Sequence, residues 1–124
     1  MSKNQLFKNE HLRKGEYLMS NNGEWKAILK EDGNFVICGW KTVWESDTAG
    51  SDVVRLSMQA DSNLVMYNQD DTPRWHTNTY FVGQGRFGSK CECNCHVQLT
   101  DDGQLVLLRE SKEVWSSANS KGTK

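Results

Sequence analysis

Apolar and polar residues alternate along this chain over short runs, and turn residues punctuate the runs. No window sustains the i, i+3, i+4 apolar spacing of a capped helix, so the pattern predicts an all-β chain. The clearest run is Met58 to Tyr67, MQADSNLVMY. Leu64 and Met66 fall on one face of its second half, and Asn63, Val65 and Tyr67 on the other, with Gln59 and Asp61 continuing the same spacing of two. The Leu64/Met66 face is the one predicted to be buried. Two related blocks flank this run, LKEDGNFVIC from Leu29 to Cys38 and LTDDGQLVLL from Leu99 to Leu108, and they keep the apolar face as Phe35, Ile37 and Leu105, Leu107. Asn22-Gly23, Asp32-Gly33 and Asp102-Gly103 are two-residue hairpin signals. Asp61-Ser62-Asn63 stands in the matching place of the central block with residues that tolerate a left-handed backbone.

Each block is followed by a tryptophan, Trp44, Trp75 or Trp115, at 15, 17 and 16 residues from its first residue, and a stretch containing Ser or Thr comes next. The chain therefore carries three repeats, near 29–44, 58–75 and 99–115, in one domain spanning 1–124, with an insertion near 80–96. Three sheets from such a repeat must pack their apolar faces together, and the equivalent tryptophans are the natural fillers of the shared axis. Trp25 and Trp40 lie outside the register and receive no assignment.

Composition narrows the function. A net charge of −1, from 15 basic and 16 acidic residues, offers no bulk attraction to nucleic acid or anionic lipid. No apolar run is long enough for a membrane span, so no membrane insertion is expected. MSKNQLFKNEHLRKGEYL has no apolar h-region, which predicts a cytoplasmic chain or one exported by a non-classical route. Cys91, Cys93, Cys95 and His96 cluster in the insertion, but no second C-x-x-C pair completes a zinc spacing, and no metal or other cofactor is assigned. The cluster reads as a loop with free thiols or one local or intermolecular disulfide, and Cys38 as a small buried hydrophobe. His11 and His96 have no evident catalytic partner, and His76 beside Trp75 reads as a surface strand residue and not a general base. No nucleophile or phosphate-loop motif occurs, so an enzyme is not expected.

Gln59-x-Asp61-x-Asn63-x-Val65-x-Tyr67 resembles the mannose-binding signature of the bulb-type, or snowdrop-like, lectins, and the triplicated block extends the likeness from about His11 to Asn119. GWKTVWESDTAG, from Gly39 to Gly50, looks most like members found in fish skin mucus. The resemblance implies a β-prism II fold of three antiparallel sheets and a metal-free mannose site. In that pattern Asp61 and Asn63 bind the axial 2-hydroxyl, Gln59 the 3-hydroxyl and Tyr67 the 4-hydroxyl, while Val65 packs on the ring carbons. Repeat one reads Lys30, Asp32, Asn34, Val36, Cys38, a reduced second site that binds weakly or not at all. Repeat three keeps only Asp102 and Val106 and is expected to be silent. The resemblance further implies a homodimer formed by exchange of Glu113 to Asn119. The competing reading is a prism scaffold with decayed sugar sites that serves as a protein-interaction module.

Overall fold

A computed structural model describes residues 3–81, 83–84, 90–91 and 94–124. Three four-stranded antiparallel sheets, one per repeat, form an all-β prism. The sheet of repeat three runs β1 (Gln5–Phe7), β12 (Cys95–Leu99), β13 (Leu105–Arg109), β14 (Lys112–Ser116). That of repeat two runs β2 (Glu10–Arg13), β7 (Val53–Met58), β8 (Leu64–Asn68), β9 (Pro73–His76), and that of repeat one runs β3 (Tyr17–Met19), β4 (Lys26–Leu29), β5 (Phe35–Cys38), β6 (Thr42–Glu45). In the insertion, β10 (Gly83–Gln84) pairs with β11 (Lys90–Cys91).

The first strand of every sheet comes from one N-terminal meander. β1, β2 and β3 each add an edge to a different sheet, and each delivers one buried leucine, Leu6, Leu12 or Leu18. Strands of three or four residues carry too little periodicity to show this stitching in the sequence. Every sheet also shifts register at the same place between its last two strands, at Ile37/Cys38, Met66/Tyr67 and Leu107/Leu108.

The predicted core face is buried in all three copies: Phe35, Ile37, Leu64, Met66, Leu105 and Leu107 are wholly inaccessible. The three register tryptophans meet pairwise edge to face, with centroids 6.0–6.2 Å apart. That arrangement aims the positive ring edge of one indole at the negative face of the next. Trp44 Nε1 donates to Ser120 O at 2.9 Å and Trp75 Nε1 to Lys121 O at 2.7 Å. Trp115 Nε1 is buried with no partner among the described residues. The tail that supplies these carbonyls continues along β9, where Thr123 and His76 exchange two backbone hydrogen bonds of 2.8 Å. Only glycine fits beneath it at Gly122, which has φ +76° and lies so close to Trp75 that a Cβ would come within 2.3 Å of the ring. Within one chain, the segment expected to be exchanged is thus already engaged: β14 pairs with β13, and the residues after it close over Trp44 and Trp75.

Cys95 is buried and disulfide-bonded, which answers the thiol question for that residue in favour of a disulfide. Cys93 and the side chain of Cys91 lie outside the described residues. Cys38 is a free thiol and only half-buried, because it sits on the outer face of β5 with Val36 and not on the core face.

Candidate carbohydrate-binding site

The hairpin between β7 and β8 sets up the site. Gln59 N donates to Asn63 O at 3.0 Å and Ser62 N to Gln59 O at 3.1 Å, closing a tight turn with Ser62 at φ +75°. The expectation of left-handed backbone at this turn is met by a serine. Its strain is offset by burial and by Arg109 Nε, which donates to Ser62 Oγ at 3.0 Å. Asp61 Oδ1 then accepts from Asn63 N at 3.0 Å, the side-chain turn typical of aspartate.

Asn63 is held from behind. Its Oδ1 accepts from Thr77 Oγ1 and from Thr79 N, both at 3.2 Å, and its Nδ2 lies 3.3 Å from His76 Nδ1. Thr77 and Thr79 share a 2.7 Å hydrogen bond, and Thr79 Oγ1 donates to Ser62 O at 2.7 Å. The Ser/Thr stretch after the tryptophan is therefore the cradle of the site asparagine. The sequence displayed that stretch without revealing its purpose.

In front, Gln59 bridges Tyr67 and Asp61. With its amide oriented so that Oε1 accepts from the tyrosine hydroxyl, Nε2 lies 3.1 and 3.2 Å from the two carboxylate oxygens of Asp61. Arg55 stacks on the Tyr67 ring at 4.6 Å and pairs with Asp71 at 2.8 Å, which fixes the phenol from its far side. Val65 is buried on β8 and lines the same cavity as these groups. A side chain already ordered loses little further entropy when it engages a ligand, so this connected row is preorganised.

The five signature residues line a single cavity of about 400 Å³, within the range of small-ligand pockets. Its other wall holds Arg74, His76 and Lys124, three groups that the sequence pattern did not assign to the site. Only pairing of the tail with β9 brings Lys124 there. Arg74 makes a two-pronged ion pair with Asp52, at 2.9 and 3.1 Å, and Asn68 Nδ2 adds a third contact at 3.0 Å. These contacts, the guanidinium foremost, pull the Asp52 carboxyl down from 3.8 to about 2. A second hollow of about 250 Å³ adjoins the first across Gln59 and Tyr67 and is bounded by His11, Arg55 and Ser57.

Repeat one has the same backbone and the same cradle. Asn34 N donates to Asp32 Oδ1 at 3.0 Å, and Asn34 Oδ1 accepts from Ser46 Oγ at 3.2 Å and Thr48 N at 3.1 Å. Its amide Nδ2, however, donates to the Glu45 carboxylate at 3.0 Å, where repeat two has His76. Val36 is buried in place, while Lys30 and Cys38 replace the bridging pair. In repeat three the exposed Gln104 replaces the asparagine and Leu108 the tyrosine.

No protein-family model matches the chain. It is 55% identical over 122 residues, 98% of its own length and 100% of the relative's, to the B-type lectin plumieribetin of the fish Scorpaena plumieri. The chain belongs to the bulb-type (B-type) lectin family. The mannose-specific lectin of Galanthus nivalis shares 43% identity over 70 residues, 55% of this chain and 43% of that protein. Among solved structures, this bulb-type lectin superposes on a monomeric monocot mannose-binding lectin from Gastrodia elata with a TM-score of 0.78, at 27% identity over 95% of this chain and 99% of that one. The snowdrop agglutinin complexed with methyl-α-D-mannoside gives 0.71 at 34% identity over 85% and 88% of the two chains. The fold is the β-prism II that the resemblance implied, and the relatives are carbohydrate-binding proteins, not enzymes.

Proposed function

We propose that this lectin recognises mannose-containing glycans through one complete site, that of repeat two, without a metal ion. The observation that carries this is the placement of Gln59, Asp61, Asn63, Val65 and Tyr67 around one cavity, cross-braced before any ligand arrives. A sugar hydroxyl is one donor and two acceptors. An axial 2-hydroxyl facing the site donates to the spare lone pairs of Asp61 and accepts the second Nδ2 hydrogen of Asn63. Gln59 and Tyr67 serve the next two hydroxyls, and Val65 meets the ring carbons. Neutral hydroxyls bound by such a set need no cation.

A shallow site with few hydrogen bonds has an affinity for the monosaccharide on the order of millimolar. NMR titration with methyl-α-mannoside in the presence of EDTA should therefore shift β7 and β8 resonances. Loss of the response with chelator, or its survival in Asn63→Ala, would sink the assignment.

One weak site gains by pairing: linking two raises apparent affinity by roughly 10² or more where both engage. We infer a homodimer on that ground. Exchange of Glu113 to Asn119 would substitute for contacts the segment makes within its own chain. Light scattering on the intact chain tests it, and a monomer at micromolar concentration would remove both the dimer and the expectation of agglutination.

A further inference from the structure

Trp25 and Trp40, which the threefold register left without a role, come together in the structure. Trp25 precedes β4 and Trp40 occupies the β5–β6 turn. With Gly23, Glu24 and Gly39 they line an open cleft of about 600 Å³ on the sheet of repeat one.

Trp25 is a fixed wall. Its Nε1 donates to Asp101 O at 3.0 Å and its backbone N–H to Ser20 Oγ at 3.1 Å. The ring is wedged so tightly that a Cβ on Gly39 would lie 3.1 Å from it and one on Gly103 2.7 Å. The repeat-three hairpin also clamps the turn in front of it, since Asn22 N donates to Asp101 Oδ1 at 2.9 Å and Asn22 Nδ2 to Asp101 O at 3.1 Å. Trp40 is the opposite: it is fully exposed and contributes nothing to the core. Beside them, the exposed Glu24 carboxylate makes one long contact among the described residues, to Asn22 Nδ2 at 3.5 Å, and so keeps acceptor capacity.

A buttressed indole, an exposed indole and an open carboxylate around an open cleft suit a ring with apolar faces and a hydroxylated edge. We propose that this cleft is a second carbohydrate site, and that it takes a gluco-configured pyranose. With every ring hydroxyl equatorial, both faces of such a sugar are C–H surfaces that lie flat on indole, while Glu24 accepts from an edge hydroxyl. An axial 2-hydroxyl interrupts one of those faces, so the preference is opposite to that proposed for repeat two. The carboxylate at the rim disfavours an anionic membrane surface as the occupant. The site shares no residue with the repeat-two cavity, and the inference does not depend on that reading.

The test is an NMR titration of the intact chain with cellotriose, read at the Trp25 and Trp40 indole N–H resonances. Both should shift with millimolar affinity. Trp40→Ala should weaken binding at least about tenfold, in line with the loss of an aromatic stacking partner, and Glu24→Gln should weaken it less. Both variants should keep the methyl-α-mannoside response, and Asn63→Ala should keep the cellotriose response. The proposal is overturned if the two indoles do not respond, if Trp40→Ala titrates like the unaltered chain, or if cellotriose shifts the repeat-two cavity instead. Trp40-dependent sedimentation with phosphatidylserine vesicles, or Trp40-dependent self-association, without a sugar response would assign the patch to those partners and overturn it equally.

Discussion

Repeats one and two build the same hairpin, the same aspartate turn and the same hydroxyl cradle around asparagine, yet they differ at the three side chains that complete a site. The shared part is what the fold requires. Asn34 and Asn63 are both nearly buried, and each supplies the acceptor that satisfies a backbone N–H behind it, so an Asp–Asn pair at this spacing is explained without any sugar. The unshared part carries recognition: Gln59 and Tyr67 in front, and His76 in place of Glu45 at the side. Glu45 also changes what remains available, because a charged carboxylate holds the Asn34 amide more firmly than an imidazole nitrogen holds that of Asn63.

The largest expected effect comes from Asn63→Ala. It should abolish detectable mannose binding and lower stability by about 1–3 kcal/mol, since Thr77 and Thr79 lose a buried acceptor. Urea unfolding and NMR titration read the two effects separately. Rebuilding repeat one is the converse experiment. Lys30→Gln with Cys38→Tyr restores the bridging pair, and adding Glu45→His frees the amide, so the triple variant should bind two mannoses per chain where the double variant gains less. Calorimetric stoichiometry decides between them, and an unchanged single site in the triple variant would show that side chains do not account for the difference.

Deleting residues 120–124 should cost about 0.5–1.5 kcal/mol for each indole N–H that exchanges its carbonyl for water, Trp44 and Trp75 alike. It should also weaken mannose binding several-fold, because His76 loses its backbone partner and the cavity its Lys124 wall. Tyr67→Phe removes one hydroxyl and should weaken binding about tenfold with little change in melting temperature. The smallest effect is electrostatic. Asp52 has a folded pKa depressed from 3.8 to about 2, so its contribution is present above pH 3.8 and disappears as the pH falls through about 2. Carboxyl titration by NMR should show this, and Arg74→Ala should return the value towards 3.8.

Local periodicity made much of this legible. Alternation along 29–38, 58–67 and 99–108 placed the core face, the outer face and the hairpins, because strand side chains alternate whatever else the chain does. The same alternation set Gln59, Asp61, Asn63, Val65 and Tyr67 on one face, and the tryptophan that follows each block marked the axis. The meaning of Ser46, Thr48, Thr77 and Thr79 was hidden, since a hydroxyl one strand away shows its partner only once the strands have paired.

A ten-residue window of the chain thus already holds strand, turn, buried face and the row of site residues. Tertiary structure alone decided that β1, β2 and β3 go to three different sheets, that residues 120–124 satisfy two of the three axial indoles, and that Arg74, His76 and Lys124 wall the repeat-two cavity. It alone brought Trp25 and Trp40 to one cleft. These are contacts between separate short segments, chosen by which edges and buried donors remain open after the hairpins form, and no pattern within either segment records that choice.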